Sequence, residues 1–276
     1  MLSFIDVSGH SIDNFYILST KGEPGEWSGI IKYHKGKWTL LKEFPDEWVV
    51  SIDTFGKDGV VAVTDDGLFY QYFNGLWHEL DTLMIHGLIN VKSFGYDNSF
   101  ISGANGYFAH IQQGKIDKIS VNSSLKIMGI YGKKENDISL VGDKGLFIKL
   151  VNGRVVKEKI SDDMLCDFTQ DNLGKSIAVG SNGKIISREN NGTWSVMHSG
   201  VSWPLTEICM VRDSLFYAVG GGILKIENDK SSIEVDSDDF TFICAITQFE
   251  SGGTIAVGES EMILVGPGWK PLKFNL

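Results

Sequence analysis

The chain has 276 residues, 42% of them hydrophobic and 22% charged, which is ordinary for a folded globular protein and excludes a disordered one. Glycine is abundant at 32 residues and proline scarce at 5, a balance suited to many short strands joined by tight turns. The formal net charge of -10 disfavours nucleic acid and anionic membrane as direct partners, because both repel a negative surface. A basic protein or a small neutral ligand remains.

Met1 to His10 has no basic region and no apolar run, and it carries Asp6. It does not read as a signal peptide. No apolar stretch is long enough for a membrane-spanning helix. Cys166, Cys209 and Cys244 lie far apart without metal-ligand spacing, so they read as free thiols in a reducing, cytoplasmic setting.

Two glycine ladders run along the chain. The first is Gly29, Gly67, Gly106, Gly145, Gly183 and Gly222, in steps of 38 or 39 residues, with Glu261 at the next step. The second is Gly36, Gly75, Gly114, Gly153 and Gly192 in steps of 39, continuing to Ser231 and Gly268. One period shared by two ladders over the whole chain predicts a stack of identical supersecondary units.

In chain order the predicted units span 1–44, 45–83, 84–121, 122–161, 162–200, 201–237 and 238–276. The first carries a long turn, Lys21 to Gly29, with Glu23, Glu26 and Trp27, then Gly36-Lys37-Trp38. The second opens on Pro45-Asp46-Glu47-Trp48 and carries Asp65, Asp66 and Gly75-Leu76-Trp77. The third holds Gly106 and Gly114. The fourth shows the unit most clearly: strands Lys126–Tyr131, Asp137–Val141, Leu146–Val151 and Arg154–Ile160, with Asp143 in a central turn and Gly132 to Asn136 as the first turn. The fifth opens on Asp162-Asp163 and contains Gly192-Thr193-Trp194. The sixth opens near Trp203 and ends at Asp236. The seventh opens on Asp238-Asp239 and contains Gly268-Trp269. Four short strands per unit of about 40 residues predict an all-β, seven-bladed β-propeller with four antiparallel strands per blade, forming a single domain. The tryptophans Trp38, Trp77, Trp194 and Trp269 are expected to wedge between adjacent blades.

The turn Ser187-Arg188-Glu189-Asn190-Asn191-Gly192-Thr193-Trp194 resembles the Asp-box of sialidase-type propellers, Ser-x-Asp-x-Gly-x-Thr-Trp. Ser187, Thr193 and Trp194 match; Glu189 replaces the aspartate and Asn191 the glycine. The glycine-rich turns also resemble propellers of the photosystem-assembly-factor type. There are no Trp-Asp dipeptides of the kind that end the third strands of WD repeats.

Sialidase activity would need three inward arginines. Arg154, Arg188 and Arg212 fall on an outer strand, a turn and the end of an inner strand, and cannot converge. The histidines have no zinc spacing. Cys166 and Cys244, at equivalent points of two first strands, are expected to be buried thiols near the axis. No catalytic residue, metal site or cofactor is expected.

In a propeller the turns between second and third strands, and the links from one blade to the next, share one face, termed here the upper rim. Glu23, Glu26, Asp46, Glu47, Asp65, Asp66, Asp143, Asp162, Asp163, Asp236, Asp238 and Asp239 are assigned to it, against the bases Lys21, Lys42 and Lys144. Trp27, Trp48 and Trp203 fall on the same rim. Aromatic anchors among carboxylates suit a hot-spot surface for a basic protein. The expectation is therefore a cytoplasmic, monomeric, non-catalytic protein-binding propeller. Its most specific form resembles a bacterial immunity protein that neutralises a basic nuclease toxin. A glycan-binding, lectin-like propeller or an assembly scaffold is the alternative.

Overall fold

The structure is a computed structural model that describes residues 1–82, 86–189, 192–236 and 242–276. Every strand pairs antiparallel with its sequence neighbour. Blade one comprises β1 (Ser3–Ser11), β2 (Asn14–Thr20), β3 (Trp27–His34) and β4 (Lys37–Pro45). Blade two comprises β5 (Val49–Phe55), β6 (Gly59–Thr64), β7 (Leu68–Phe73) and β8 (Leu76–Asp81). Then come β9 (Leu88–Gly95), β10 (Asn98–Gly103), β11 (Phe108–Gln112) and β12 (Lys115–Lys118), and in blade four β13 (Ile127–Lys134), β14 (Asp137–Gly142), β15 (Leu146–Val151) and β16 (Arg154–Lys159). Blade five has β17 (Leu165–Gln170), β18 (Ser176–Gly180), β19 (Ile185–Arg188) and β20 (Trp194–Met197). Blade six has β21 (Leu205–Arg212), β22 (Leu215–Gly220), β23 (Ile223–Glu227) and β24 (Lys230–Val235), and blade seven β25 (Ile243–Gln248), β26 (Thr254–Gly258), β27 (Met262–Gly266) and β28 (Lys270–Pro271).

Among the described residues these form seven four-stranded sheets, each built from consecutive strands. The protein is a seven-bladed β-propeller. First strands line the axis, and the second strands are the most buried: β2, β6, β14, β18, β22 and β26 are almost wholly enclosed. Apolar clusters sit between blades rather than inside them, because one sheet has two apolar faces and only a neighbour can cover each.

Among the described residues no strand is exchanged to close the ring. Blade seven meets blade one through the packing of β25 and β26 on β1 and through residues beyond β28. There Phe274 sits edge-on to Phe4 and to Trp38, each at 5.1 Å, and Trp38 Nε1 donates to Lys273 O at 3.2 Å. Trp77 meets Phe44 of blade one at 6.1 Å, Trp194 meets Phe147 of blade four at 4.9 Å, and Trp269 meets Tyr217 of blade six at 5.0 Å. All four outer-strand tryptophans therefore pack toward the preceding blade, as expected.

Most rungs of the ladders mark turns, although Gly29 lies inside β3, paired with Ser19. Gly145 has φ 68°, and a Cβ there would lie 2.1 Å from Ser161 O, so both conformation and space demand glycine. Two readings need correction. The second ladder does not pass through Ser231, which lies inside β24; the blade-six hairpin turns at Asn228-Asp229, where Asp229 holds φ 61° in the glycine's place. In blade four the chain does not loop out over Gly132 to Asn136. Strand β13 continues through a bulge to Lys134, which pairs with Asp137, leaving a two-residue turn.

Candidate functional site: the lumen and the upper rim

Each inner strand carries a bulge near its upper end, and the next residue points into the lumen. That position is Asp6 in blade one, Asp167 in blade five and Glu207 in blade six, pairing with Leu18, Val179 and Val219 respectively. Ser51, Asn90, Gly129 and Ala245 hold it in the other blades. Two residues further down stand Asp53 and Lys92. The lumen at this level is a cavity of about 310 Å³.

The carboxylates act as staples between blades. Asp6 accepts from Ile52 N at 2.8 Å and Ser51 Oγ at 3.1 Å, both in blade two. Asp53 accepts from Ser93 N at 2.8 Å in blade three and pairs with Lys92 Nζ at 2.9 Å. Asp167 accepts from Ile208 N at 2.9 Å, and Glu207 from Ile246 N at 2.7 Å. Each bond satisfies an N–H that faces the lumen and has no strand partner there. Burial, the dominant effect, pushes the Asp6 carboxyl up to about 6 and Asp167 up to about 7, and holds Glu207 well above the ordinary carboxylate range. Lys92 is held above the usual ammonium range, chiefly by Asp53. The lumen thus combines one ammonium with four carboxyls, and burial raises three of them, Asp6, Asp167 and Glu207, above the ordinary carboxylate range. Among the described residues no group of three His, Cys, Asp or Glu side chains is placed to hold a metal ion.

Cys166 and Cys244 are bulge residues at the upper mouth of this lumen and half-buried, more open than the expected buried thiols. Burial pushes their thiols up to about 11 and about 12, so they are not reactive thiolates. Cys209 is fully enclosed. Arg154, Arg188 and Arg212 stand on the outer strand β16, at the end of β19 and at the end of β21. In the Asp-box-like turn, Asn190 and Asn191 lie outside the described residues; Glu189 N donates to Thr193 O at 2.9 Å, and Arg188 packs over Trp194 at 5.2 Å.

On the upper rim the structure gathers one subset of the carboxylates. Asp46 N donates to Glu26 O at 3.2 Å, Glu26 N to Glu23 O at 3.0 Å, and Asp65 N to Trp48 O at 2.9 Å. These links draw Glu23, Glu26, Asp46, Trp48, Asp65 and Asp66 into one patch across blades one and two. Trp48 is 40% exposed there. Glu23, Glu26, Asp46 and Asp66 are exposed, and among the described residues none of these four is in an ion pair. Glu47 is turned inward and accepts from Tyr70 Oη at 2.9 Å; burial raises its carboxyl.

The remaining assignments are separate from that patch. Asp143 is half-buried in the blade-four turn. Asp162 pairs with Lys159, and Asp163 with Lys184 at 2.8 Å, so Lys159 and Lys184 join the three bases expected on the rim and the charge imbalance is smaller than the sequence implied. Asp236 is exposed and engaged with a neighbour. Asp238 and Asp239 lie outside the described residues. Trp27 is not in the long turn but begins β3, and its ring lies across Gly29, where a Cβ would meet it at 2.4 Å. Trp203 lies against Gly220 and Gly221, half-buried in the junction of blades five and six. Glycine at these contacts makes room for an indole to fold down, which leaves Trp48 as the exposed aromatic of the three.

The lumen staples were not anticipated. Their signal was a carboxylate flanked by apolar residues within a first strand, as in Ile5-Asp6-Val7 and Cys166-Asp167-Phe168. The repeat obscures it, because four blades carry no acid at the equivalent point.

No family model and no curated protein matches this sequence. Solved structures match its shape. A structure described as YCF48 bound to D1 peptide is 12% identical with a TM-score of 0.75, over 95% of this chain and 92% of that one. YCF48 from Cyanidioschyzon merolae is 11% identical with a TM-score of 0.72, over 95% and 94%. The WD40 β-propeller domain of Doa1 is 10% identical with a TM-score of 0.75, over 95% and 92%. At these identities the likeness is one of fold, and it reaches a WD40 propeller although the Trp-Asp signature is missing. The chain shares the full circular architecture of these propellers.

Proposed function

We propose that this propeller is a non-catalytic binding protein that captures a basic protein partner on its upper rim, in the cytoplasm. The observation that carries the reading is the patch at blades one and two, where Glu23, Glu26, Asp46 and Asp66 are exposed and in no ion pair among the described residues, on the same rim as the exposed Trp48. Carboxylates held out in water keep their full charge and steer a cationic partner, while an aromatic on that rim supplies contact area. A partner of this kind has to be basic, and nucleic-acid-cleaving domains are basic by necessity, since they grip phosphates. The most specific form of the proposal is therefore an immunity protein covering the active face of a cationic nuclease toxin. That a propeller of similar shape has been seen with a bound peptide supports the general reading.

The test uses a catalytically inactive cationic ribonuclease domain as the probe. Binding is expected to weaken at least about tenfold when Glu23→Lys, Glu26→Lys and Asp46→Lys are combined, and to weaken as salt rises. Affinity unchanged by the triple variant would remove this patch from the reading.

A further inference from the structure

At the junction of blades one and two, next to Glu47, three aromatic rings form a box around one ammonium. Lys42 and Phe44 lie two residues apart on one face of β4, and Tyr70 and Trp77 come from β7 and β8 of the next blade. Lys42 Nζ stands 4.9 Å from the Phe44 ring centroid, 5.1 Å from that of Tyr70 and 5.5 Å from that of Trp77. The rings meet as steep walls: Phe44 and Tyr70 at 69°, Phe44 and Trp77 at 89°, Tyr70 and Trp77 at 79°. Phe44 and Tyr70 are buried, and Trp77 is backed by Tyr72 at 5.1 Å, so the walls have little side-chain entropy left to lose. A ring face carries negative potential, and a cation within about 6 Å of several faces is attracted by each.

The box differs from the other cation–ring contacts among the described residues. Lys32, Lys118 and Arg188 each lie over a single ring, those of Tyr16, Tyr107 and Trp194. Lys32 and Arg188 also have carboxylate partners, Asp58 and Glu158. Lys42 is in no ion pair and no side-chain hydrogen bond among the described residues; its ammonium is held over rings and by no acceptor. Its side chain is part-exposed, so the box opens to solvent. Two acidic residues flank the Tyr70 wall: Glu47 accepts from Tyr70 Oη at 2.9 Å, and Glu79 faces Tyr70 across β7 and β8. They reinforce the preference of the rings for positive charge.

We infer that this box is a binding site for a trimethylammonium group, and that Lys42 fills it in the free chain as an internal stand-in. A primary ammonium brings three N–H donors, for which ring faces are poor acceptors. A trimethylammonium brings the same charge, no donor, and three methyls to lay against the walls. It matches a site that offers ring faces and no hydrogen-bond acceptor. To admit it, the Lys42 side chain swings out into the solvent it already touches. This head group is common to a trimethylated lysine of a protein partner and to small molecules of the choline type. The inference rests on the rings and not on the rim carboxylates, so it stands or falls apart from the ribonuclease reading.

The test is an NMR titration of the whole chain with tetramethylammonium, choline and a trimethyllysine peptide, with the uncharged tert-butyl analogue of choline as control. Lys42→Ala empties the box. It is expected to bind tetramethylammonium saturably in the millimolar range, about tenfold more tightly than the parent, in which Lys42 must first be displaced. Adding Trp77→Ala to Lys42→Ala is expected to weaken binding at least about tenfold. Tighter binding of the peptide than of choline upholds the site with a protein ligand, and the reverse upholds it with a small molecule. Should the double variant fail to fold, the uncharged analogue decides alone. The inference is overturned if no trimethylammonium probe binds Lys42→Ala up to about 100 mM, if the uncharged analogue binds as well as choline, if the parent binds as tightly as Lys42→Ala, or if Trp77→Ala changes nothing.

Discussion

The lumen and the upper rim are both rich in carboxylates, yet they use them in opposite ways. In the lumen Asp6, Asp53, Asp167 and Glu207 each accept an N–H from the next blade's inner strand, so the acid is spent inside the fold. On the rim at blades one and two, Glu23, Glu26, Asp46 and Asp66 point into water without ion pairs among the described residues. The first set links neighbouring blades, and burial raises Asp6, Asp167 and Glu207 within it. The second set lies at the surface, and under the proposed function it is what a basic partner meets. Formal net charge at the sequence level merges the two, although only the second can attract anything.

The contrast can be broken most forcefully at Asp53. Asp53→Ala strands the Lys92 ammonium and the Ser93 N–H in the lumen, and should cost about 3 kcal/mol in urea unfolding. The triple rim reversal Glu23→Lys, Glu26→Lys and Asp46→Lys should change stability by less than about 0.5 kcal/mol in the same assay. Equal losses from the two would erase the distinction.

The pH response sharpens it. Asp6 and Asp167 titrate at about 6 and about 7 in the fold and near 4 when unfolded, so between those values the folded chain holds protons that the unfolded chain has released. Stability should therefore fall as pH rises from about 4 to about 7. Asp167→Asn keeps an acceptor for Ile208 N but cannot ionise. It should flatten that slope and be the more stable protein at pH 8, by about 1 kcal/mol once water in the lumen is allowed for. A steeper slope, or a loss of stability at pH 8, would contradict the assignment of Asp167 as a carboxyl raised by burial. The smallest effect is expected at Asp163, whose pair with Lys184 is partly open to solvent at the rim. Asp163→Asn should cost less than about 0.5 kcal/mol by thermal melt.

The architecture was legible because it is periodic. Turn glycines such as Gly145 are required by backbone conformation, and steric need of that kind is written into each copy of the repeat. The tryptophan wedges were legible for the same reason. What the sequence obscured is local compensation. Asp229 replaces a turn glycine by adopting the same left-handed conformation, so the ladder missed it by two residues. Trp27 and Trp203 look like loop aromatics until Gly29, Gly220 and Gly221 are seen to leave space beneath them. Lys159 and Lys184 sit on strands in sequence but reach rim carboxylates across a turn. The staples were hidden because a carboxylate between apolar residues is only a staple if the neighbouring blade presents an N–H to it, and that is a fact of the closed ring.

The most direct test compares two triple reversals of equal net charge against the same cationic ribonuclease probe. One is the rim variant; the other places Asp13→Lys, Glu135→Lys and Glu250→Lys on exposed turns of the lower face. If the proposed rim site is right, position rather than total charge decides, and the rim variant should lose at least about tenfold in affinity and the lower-face variant much less. Equal losses from the two, or none from either, would contradict a partner held at blades one and two.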